Sequence, residues 1–247
     1  MHKAETEVVT WEFLEPDPVC TGVGKWRYKH ANSLIQRHFS YQKNDVFLFG
    51  VKTLFIAITQ YKYLNAVEIK QYIEIEQFID YLIIRTPMET AELIDWVHLL
   101  NQSGFPKSKI IIHDNLTVLT RCKLRAIHFK EKDERIADFK YNHPDIQVSM
   151  STHDTKHIAQ AEALQLAFVL YGHIFKTNSK SNQHPRTENE INKALKFNIP
   201  IIALGGINTQ TLKELPNGFK GIAGISIFAQ QNVNEIKQLK EAWQTYV

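Results

Sequence analysis

Ile199-Pro-Ile-Ile-Ala-Leu-Gly-Gly-Ile-Asn208 and then Gly221-Ile-Ala-Gly-Ile-Ser226 are short apolar runs that close on small residues. They are apolar at consecutive rather than alternate positions, which is how a strand reads when both of its faces are covered. Further runs, most of them of the same kind, recur upstream at residues 54–59, 81–86, 109–114, 125–129, 147–152 and 167–174, and the series is completed at 200–207 and 221–228. Amphipathic stretches of about ten residues separate them, the length of a short helix. Residues 89–102 place Ile94, Val97 and Leu100 on one face, and Val233, Ile236, Leu239 and Trp243 do the same after the last run. Segments 116–123 and 134–141 leave room for only a turn or two of helix. Eight strands and eight crossovers in strict alternation predict an α/β fold, a compact (β/α)8 TIM barrel over residues 51–247. An open doubly wound sheet is the alternative.

Residues 1–50 break the rhythm. Charges of both signs are scattered without a sustained period, and Trp11 and Trp26 have no obvious apolar face around them. The segment is expected to be an irregular extension with little packed structure, either disordered or not native to the protein, with Val51 at the true start. The other reading makes it an arm that covers a neighbouring subunit.

Of the 247 residues, 44% are hydrophobic and 22% charged, a composition that builds one large core and excludes collagenous, disordered and coiled-coil chains. The formal net charge of +3 carries no blocks of like charge and falls short of a nucleic-acid-binding surface. Cys20 and Cys122 stand far apart, so no CxxC site or disulfide framework is available, and a reducing cytoplasm is expected. Glu5, Glu7, Glu12, Glu15 and Asp17 stand where a signal peptide needs a basic and then an apolar stretch, and residues 46–51 are too few to cross a bilayer. A soluble protein with neither a membrane nor a nucleic-acid partner is expected.

In a barrel of this kind chemistry gathers at the carboxyl ends of the strands, which reduces the polar residues to a short set. Gly205 and Gly206 end the seventh run and Ser226 ends the eighth, where backbone amides approach a phosphate; the plain alternative is a tight turn that needs positive φ. His153 closes the fifth run, in Val148-Ser-Met-Ser-Thr-His153, and is placed to exchange a proton near neutral pH, or else to cap the next helix. Lys180 lies in a polar loop long enough to fold over the mouth, as a clamp for an anion or as an ordinary solvated lysine. His113, Asp114, His128 and Asp133 lack any recognised zinc spacing; magnesium held by one or two carboxylates and a phosphate is conceivable, and no tightly bound metal is expected.

Ser151-Thr-His153, Tyr171-Gly-His-Ile-Phe-Lys-Thr-Asn-Ser-Lys180 and the two glycine-bearing runs, in this order, resemble the family of thiamine phosphate synthase and thiazole tautomerase from Leu54 to the C-terminus. Gly172-His-Ile-Phe175 is similar to tautomerases, where synthases carry Gly-Pro-Ile-Phe. Synthases also use an Arg-x-Lys pair after strand two and an Asn-Asp pair after strand three to grip a pyrimidine pyrophosphate with magnesium. Here these read Arg85-Thr-Pro87 and His113-Asp114, while Asp114, Asp133 and Ser151 keep matching positions. The resemblance implies an isomerase that aromatises a carboxythiazole phosphate in thiamine biosynthesis, with the transferase that makes thiamine phosphate as second reading. A non-catalytic, phosphate-ligand-binding regulatory barrel is the third. It further implies His153 as the acid/base group and His173 as a second proton carrier or part of the wall. Gly205, Gly206 and Ser226 would hold phosphate, Lys180 with Thr177 the carboxylate, and Arg85 would neutralise charge. Asp114 and Ser151 complete the substrate site. No cofactor is required unless the synthase reading holds, which needs magnesium. The expected partners are a small phosphorylated thiazole and a second copy of the chain, since small barrels of this type often pair. Tautomerases usually also carry the Arg-x-Lys pair and a glycine where Ser149 stands.

Overall fold

The computed structural model describes residues 10–14, 25–29, 53–177, 182–229 and 233–246. The chain divides into two units, Met1–Phe49 and Gly50–Val247. In the first, β1 (Thr10–Leu14) and β2 (Lys25–Lys29) pair antiparallel, with Trp11 opposite Tyr28 and Phe13 opposite Trp26. These strands stand in the segment whose sequence promises no regular structure. The aromatic and charged residues do alternate there, as strands favour, but over five residues at a time.

The second unit is a closed barrel of eight parallel strands. They are β3 (Leu54–Ile58), β4 (Tyr81–Ile84), β5 (Ile110–His113), β6 (Ala126–Phe129), β7 (Gln147–Thr152), β8 (Phe168–Gly172), β9 (Ile201–Leu204) and β10 (Gly221–Gly224). They neighbour one another in chain order, and β10 closes on β3. Except in β7, alternate residues of the strands belong to two apolar layers. Ile56, Ile58, Ile83, Ile111, Phe168, Leu170, Ile202 and Ala223 form one cluster inside the barrel. Phe55, Ala57, Leu82, Ile84, Ile112, Val148, Val169 and Ile201 join the outer cluster with the helices. Where both faces are apolar the strands read as unbroken hydrophobic runs, whereas β7 alternates.

The crossovers contain α1 (Ala66–Ile75), α2 (Thr90–Gln102), α3 (Leu116–Arg121), α4 (Arg135–Asn142), α5 (Thr155–Ala163), α6 (Glu188–Ala194), α7 (Ser226–Ala229) and α8 (Val233–Tyr246). Local chemistry sets their starts. Asn65 with Glu68, and Thr187 with Glu190, form reciprocal capping boxes on α1 and α6, and Asn115 and Asp154 cap α3 and α5. In α2 the buried stripe is Leu93, Trp96, Val97 and Leu100; Ile94 is only partly buried.

Three of the last strands are shorter than their apolar runs. At β9 the reason is backbone geometry: Gly205 and Gly206 adopt φ of 97° and 71° and turn the chain out of the strand. After β10, residues 226–229 wind into α7 instead of extending the strand. The crossover after β9 contains only a 3₁₀ turn, Thr211–Glu214. Among the described residues no helix is long and apolar enough to cross a membrane.

Candidate active site

Polar side chains interrupt the apolar barrel interior on β5, β6 and β7. His128 is buried, with Nδ1 2.9 Å from Ser149 Oγ and Nε2 2.9 Å from Ser151 Oγ. The His113 ring lies 5.8 Å from that of His128. Burial pushes His128 down to about 3, and burial, with the nearby Arg85 charge, pushes His113 down to about 4. Both serine hydroxyls can accept a hydrogen bond from imidazolium, so it is loss of water and not lack of acceptors that disfavours the charged form of His128. Ser151 is thus part-buried and held by His128.

His153 follows β7 with 41% of its side chain exposed. Glu131, from the loop after β6, grips it twice: one carboxylate oxygen accepts from the His153 backbone N–H at 2.6 Å, and the other lies 3.0 Å from Nδ1. A carboxylate can only accept, so the neutral imidazole carries its proton on Nδ1 and its lone pair on Nε2. The His153 carbonyl accepts from Arg186 Nη1 at 2.9 Å. Behind this pair, His157 Nδ1 lies 3.2 Å from Glu131 and 2.7 Å from Asp154. The arrangement is that of an oriented base, a ring fixed in place and in tautomer by a carboxylate.

At the ends of β4, β5 and β6 is a cavity of about 230 Å³ lined by Tyr61, Arg85, Thr86, His113, Asp114 and Lys130 among others. The Arg85 guanidinium lies 4.7 Å from the centre of the Tyr61 ring. A slightly larger hollow of about 290 Å³, on the outside of the barrel, is lined by Leu212, Lys213, Ala242 and Thr245 and holds none of the strand-end residues.

Asp114 and Asp133 follow β5 and β6 and are the carboxylates on which the synthase reading of the sequence rests. Both are engaged by cations. Arg135 Nη2 contacts Asp114 Oδ1, and also Asp133 Oδ2 at 2.5 Å, while Arg135 Nε donates to Asp133 Oδ1 at 2.9 Å. Lys130 Nζ lies 2.7 Å from Asp114 Oδ2. The Arg135 hydrogen bond holds the Asp133 carboxyl below its ordinary range. All four carboxylate oxygens thus face a cationic nitrogen, and the pair as arranged does not fit a divalent ion, which needs those oxygens as ligands.

The other predicted site residues divide. A Cβ on Gly205 would come within 2.4 Å of His173 Cβ, and one on Gly206 within 2.6 Å of the Lys176 carbonyl. Positive φ and close approach account for both glycines without a ligand. His173 is buried, its Nε2 3.3 Å from the Gln183 carbonyl, which suits a wall residue better than a proton carrier. Ser226 is exposed at the first position of α7, and Thr177 is half-buried beyond β8. Lys180 lies outside the described residues. The structure brings Arg85 and Asp114 to one cavity and sets His153 on the next strand end but one. Sequence reasoning did not single out Glu131, Lys130 or Arg135. The only local signal is that Asp133 stands two residues before Arg135 at a helix start.

A family model described as thiamine monophosphate synthase matches residues 57–228. A curated thiamine-phosphate synthase of Picrophilus torridus is 32% identical over 128 residues, 51% of this chain and 63% of its own length. A putative thiamine-phosphate synthase 2 of Aquifex aeolicus is 30% identical over 128 residues, 50% of this chain and 68% of its own. The match thus spans less than two thirds of the first relative and slightly more of the second. Thiamine phosphate pyrophosphorylase from Pyrococcus furiosus superposes with a TM-score of 0.65 at 19% identity, covering 79% of this chain and 97% of that one. A 3-keto-L-gulonate-6-phosphate decarboxylase from Vibrio cholerae gives 0.59 at 14%, covering 79% and 99%. Identities this low show the shared barrel and not a shared reaction. The match over residues 57–228 makes this chain a member of the thiamine monophosphate synthase family.

Proposed function

We propose that the protein is an isomerase of thiamine biosynthesis that aromatises a carboxythiazole phosphate. The observation that carries this reading is His153, half-exposed at a strand end with Glu131 on its Nδ1. The reaction needs little more than a proton shuttle. Nε2 takes the proton from the ring carbon, the freed electron pair shifts through the ring to the exocyclic double bond, and the side-chain carbon takes its proton from the imidazolium after that has exchanged with solvent. Atoms and electrons balance within the substrate, so no redox group or metal is required. Glu131 stabilises the imidazolium formed midway. Gly205, Gly206 and Ser226 are proposed to meet the phosphate, Lys180 and Thr177 the carboxylate, and Arg85 to offset the remaining charge.

The second reading, thiamine phosphate synthase, is favoured by the names of the curated relatives and by Asp114, Asp133 and Ser151, which the resemblance of the sequence sets at matching positions. It requires the cation-occupied carboxylate pair to serve a pyrophosphate.

Turnover of the ylidene tautomer in D2O separates the two readings. The isomerase reading predicts one deuteron at the side-chain carbon, and a loss of about 10²–10⁴-fold in kcat for His153→Asn. Equal rates for the wild type and the variant would remove His153 from the mechanism. Joining of pyrimidine pyrophosphate to thiazole phosphate, without isomerisation, would establish the second reading.

A further inference from the structure

Two carboxylates and two cations meet where β5 and β6 end. Asp114 and Asp133 are mostly buried, with 17% and 10% of their side chains exposed, whereas Arg135 and Lys130 are 50% and 66% exposed. The charges cancel, and the partners are not equal. Lys130 reaches one oxygen of Asp114 only. Arg135 bridges the two acids with one nitrogen and holds the second oxygen of Asp133 with another. Its own backbone N–H also donates to Asp133 Oδ1, at 3.0 Å, at the start of α4. The helix start and the clamp are therefore one local unit, which keeps the guanidinium at high effective concentration between the acids. The face of Phe129 lies 5.5 Å below the same guanidinium.

We infer that Arg135 is a tethered cation standing in the place of a divalent metal between Asp114 and Asp133, and that removing it converts the pair into a divalent-cation site. A guanidinium supplies one positive charge in a planar fork that fits carboxylates, and it is charged at every pH the fold survives. A divalent ion entering beside it would place four positive charges, counting Lys130, against two negative ones. It binds only if Arg135 leaves. The barrel thereby keeps a fixed cation in place of an exchangeable one, and chemistry at this mouth does not depend on metal supply.

The test is Mn2+ binding to the full chain, followed by electron paramagnetic resonance, in wild type, Arg135→Met and Arg135→Met with Asp114→Asn. The signal scored is the part abolished by Asp114→Asn. That control sets aside the other group of close potential ligands among the described residues, Glu131, Asp154 and His157. The inference predicts no such component in wild type up to about 1 mM Mn2+, and one ion per chain in Arg135→Met with affinity at least about tenfold tighter. Arg135→Gln is the substitute if the methionine variant does not fold. A wild-type chain that binds one Asp114-dependent Mn2+ at micromolar concentration overturns the inference. So does a folded Arg135 variant that binds no better than wild type. The assay contains no substrate, so its outcome is independent of whether the isomerase reading holds.

Discussion

Acidification from pH 7 to pH 5 should weaken the fold through His128 and His113. An unfolded chain protonates histidine near 6.5, whereas folding holds His128 at about 3 and His113 at about 4. Between these limits the unfolded state binds more protons than the native one, so stability rises with pH and is lost as pH falls. Integrating at about 1.36 kcal/mol per unit gives a loss on the order of 2 kcal/mol for each histidine from pH 7 to pH 5, and at most about twice that for the coupled pair. That is a large part of the roughly 5–15 kcal/mol that stabilises a typical domain. The carboxylates with lowered values, Asp133, Asp154, Glu68 and Glu190, fall below their ordinary 3.8 or 4.5 and lose their contribution only under more acid conditions. Urea unfolding followed by far-ultraviolet circular dichroism at pH 7, 6 and 5 measures the effect. His128→Asn isolates it, because the pH dependence of the variant should be smaller by roughly 2 kcal/mol over the same range. A variant with the same pH dependence as wild type would refute the assignment of a neutral, desolvated His128.

Three further outcomes are expected. Glu131→Gln should lower kcat/KM for aromatisation by about 10–100-fold with an unchanged circular dichroism spectrum, and a change of less than about twofold would mean that the carboxylate does not orient His153. Gly205→Ala combines a positive φ with a Cβ 2.4 Å from that of His173, and should cost about 2–5 kcal/mol in urea unfolding; a loss under about 1 kcal/mol would show that the turn relaxes freely. Excess EDTA should leave the rate of aromatisation unchanged, and a rate restored only by added magnesium would contradict the metal-independent mechanism.

The barrel was legible because its strands are covered on both faces, so residues such as Ile56 and Ala57 are buried in opposite layers and most runs, β7 excepted, show no alternation to confuse with another fold. α2 and α8 announced themselves by period. Strand ends were less legible: Ala203-Leu-Gly-Gly-Ile207 stays apolar in composition while the glycines turn the chain away. The position of His153 followed from strand order, but its partner did not. In Lys130-Glu-Lys-Asp-Glu-Arg135 charges of both signs alternate as in any solvated loop. Which of them faces His153 and which bridges Asp114 is decided by how the loop after β6 packs against β5 and β7, and a linear pattern carries no trace of that. The strands β1 and β2 were missed because their alternation is brief and flanked by aperiodic sequence.

The most direct measurement is ultraviolet monitoring of the ylidene carboxythiazole phosphate mixed with the purified full chain, against an enzyme-free blank and with no pyrimidine pyrophosphate added. The account predicts catalysed appearance of the aromatic thiazole, insensitive to EDTA and suppressed in His153→Asn. A trace that matches the blank, from a chain that forms thiamine phosphate once the pyrimidine pyrophosphate is supplied, would contradict it.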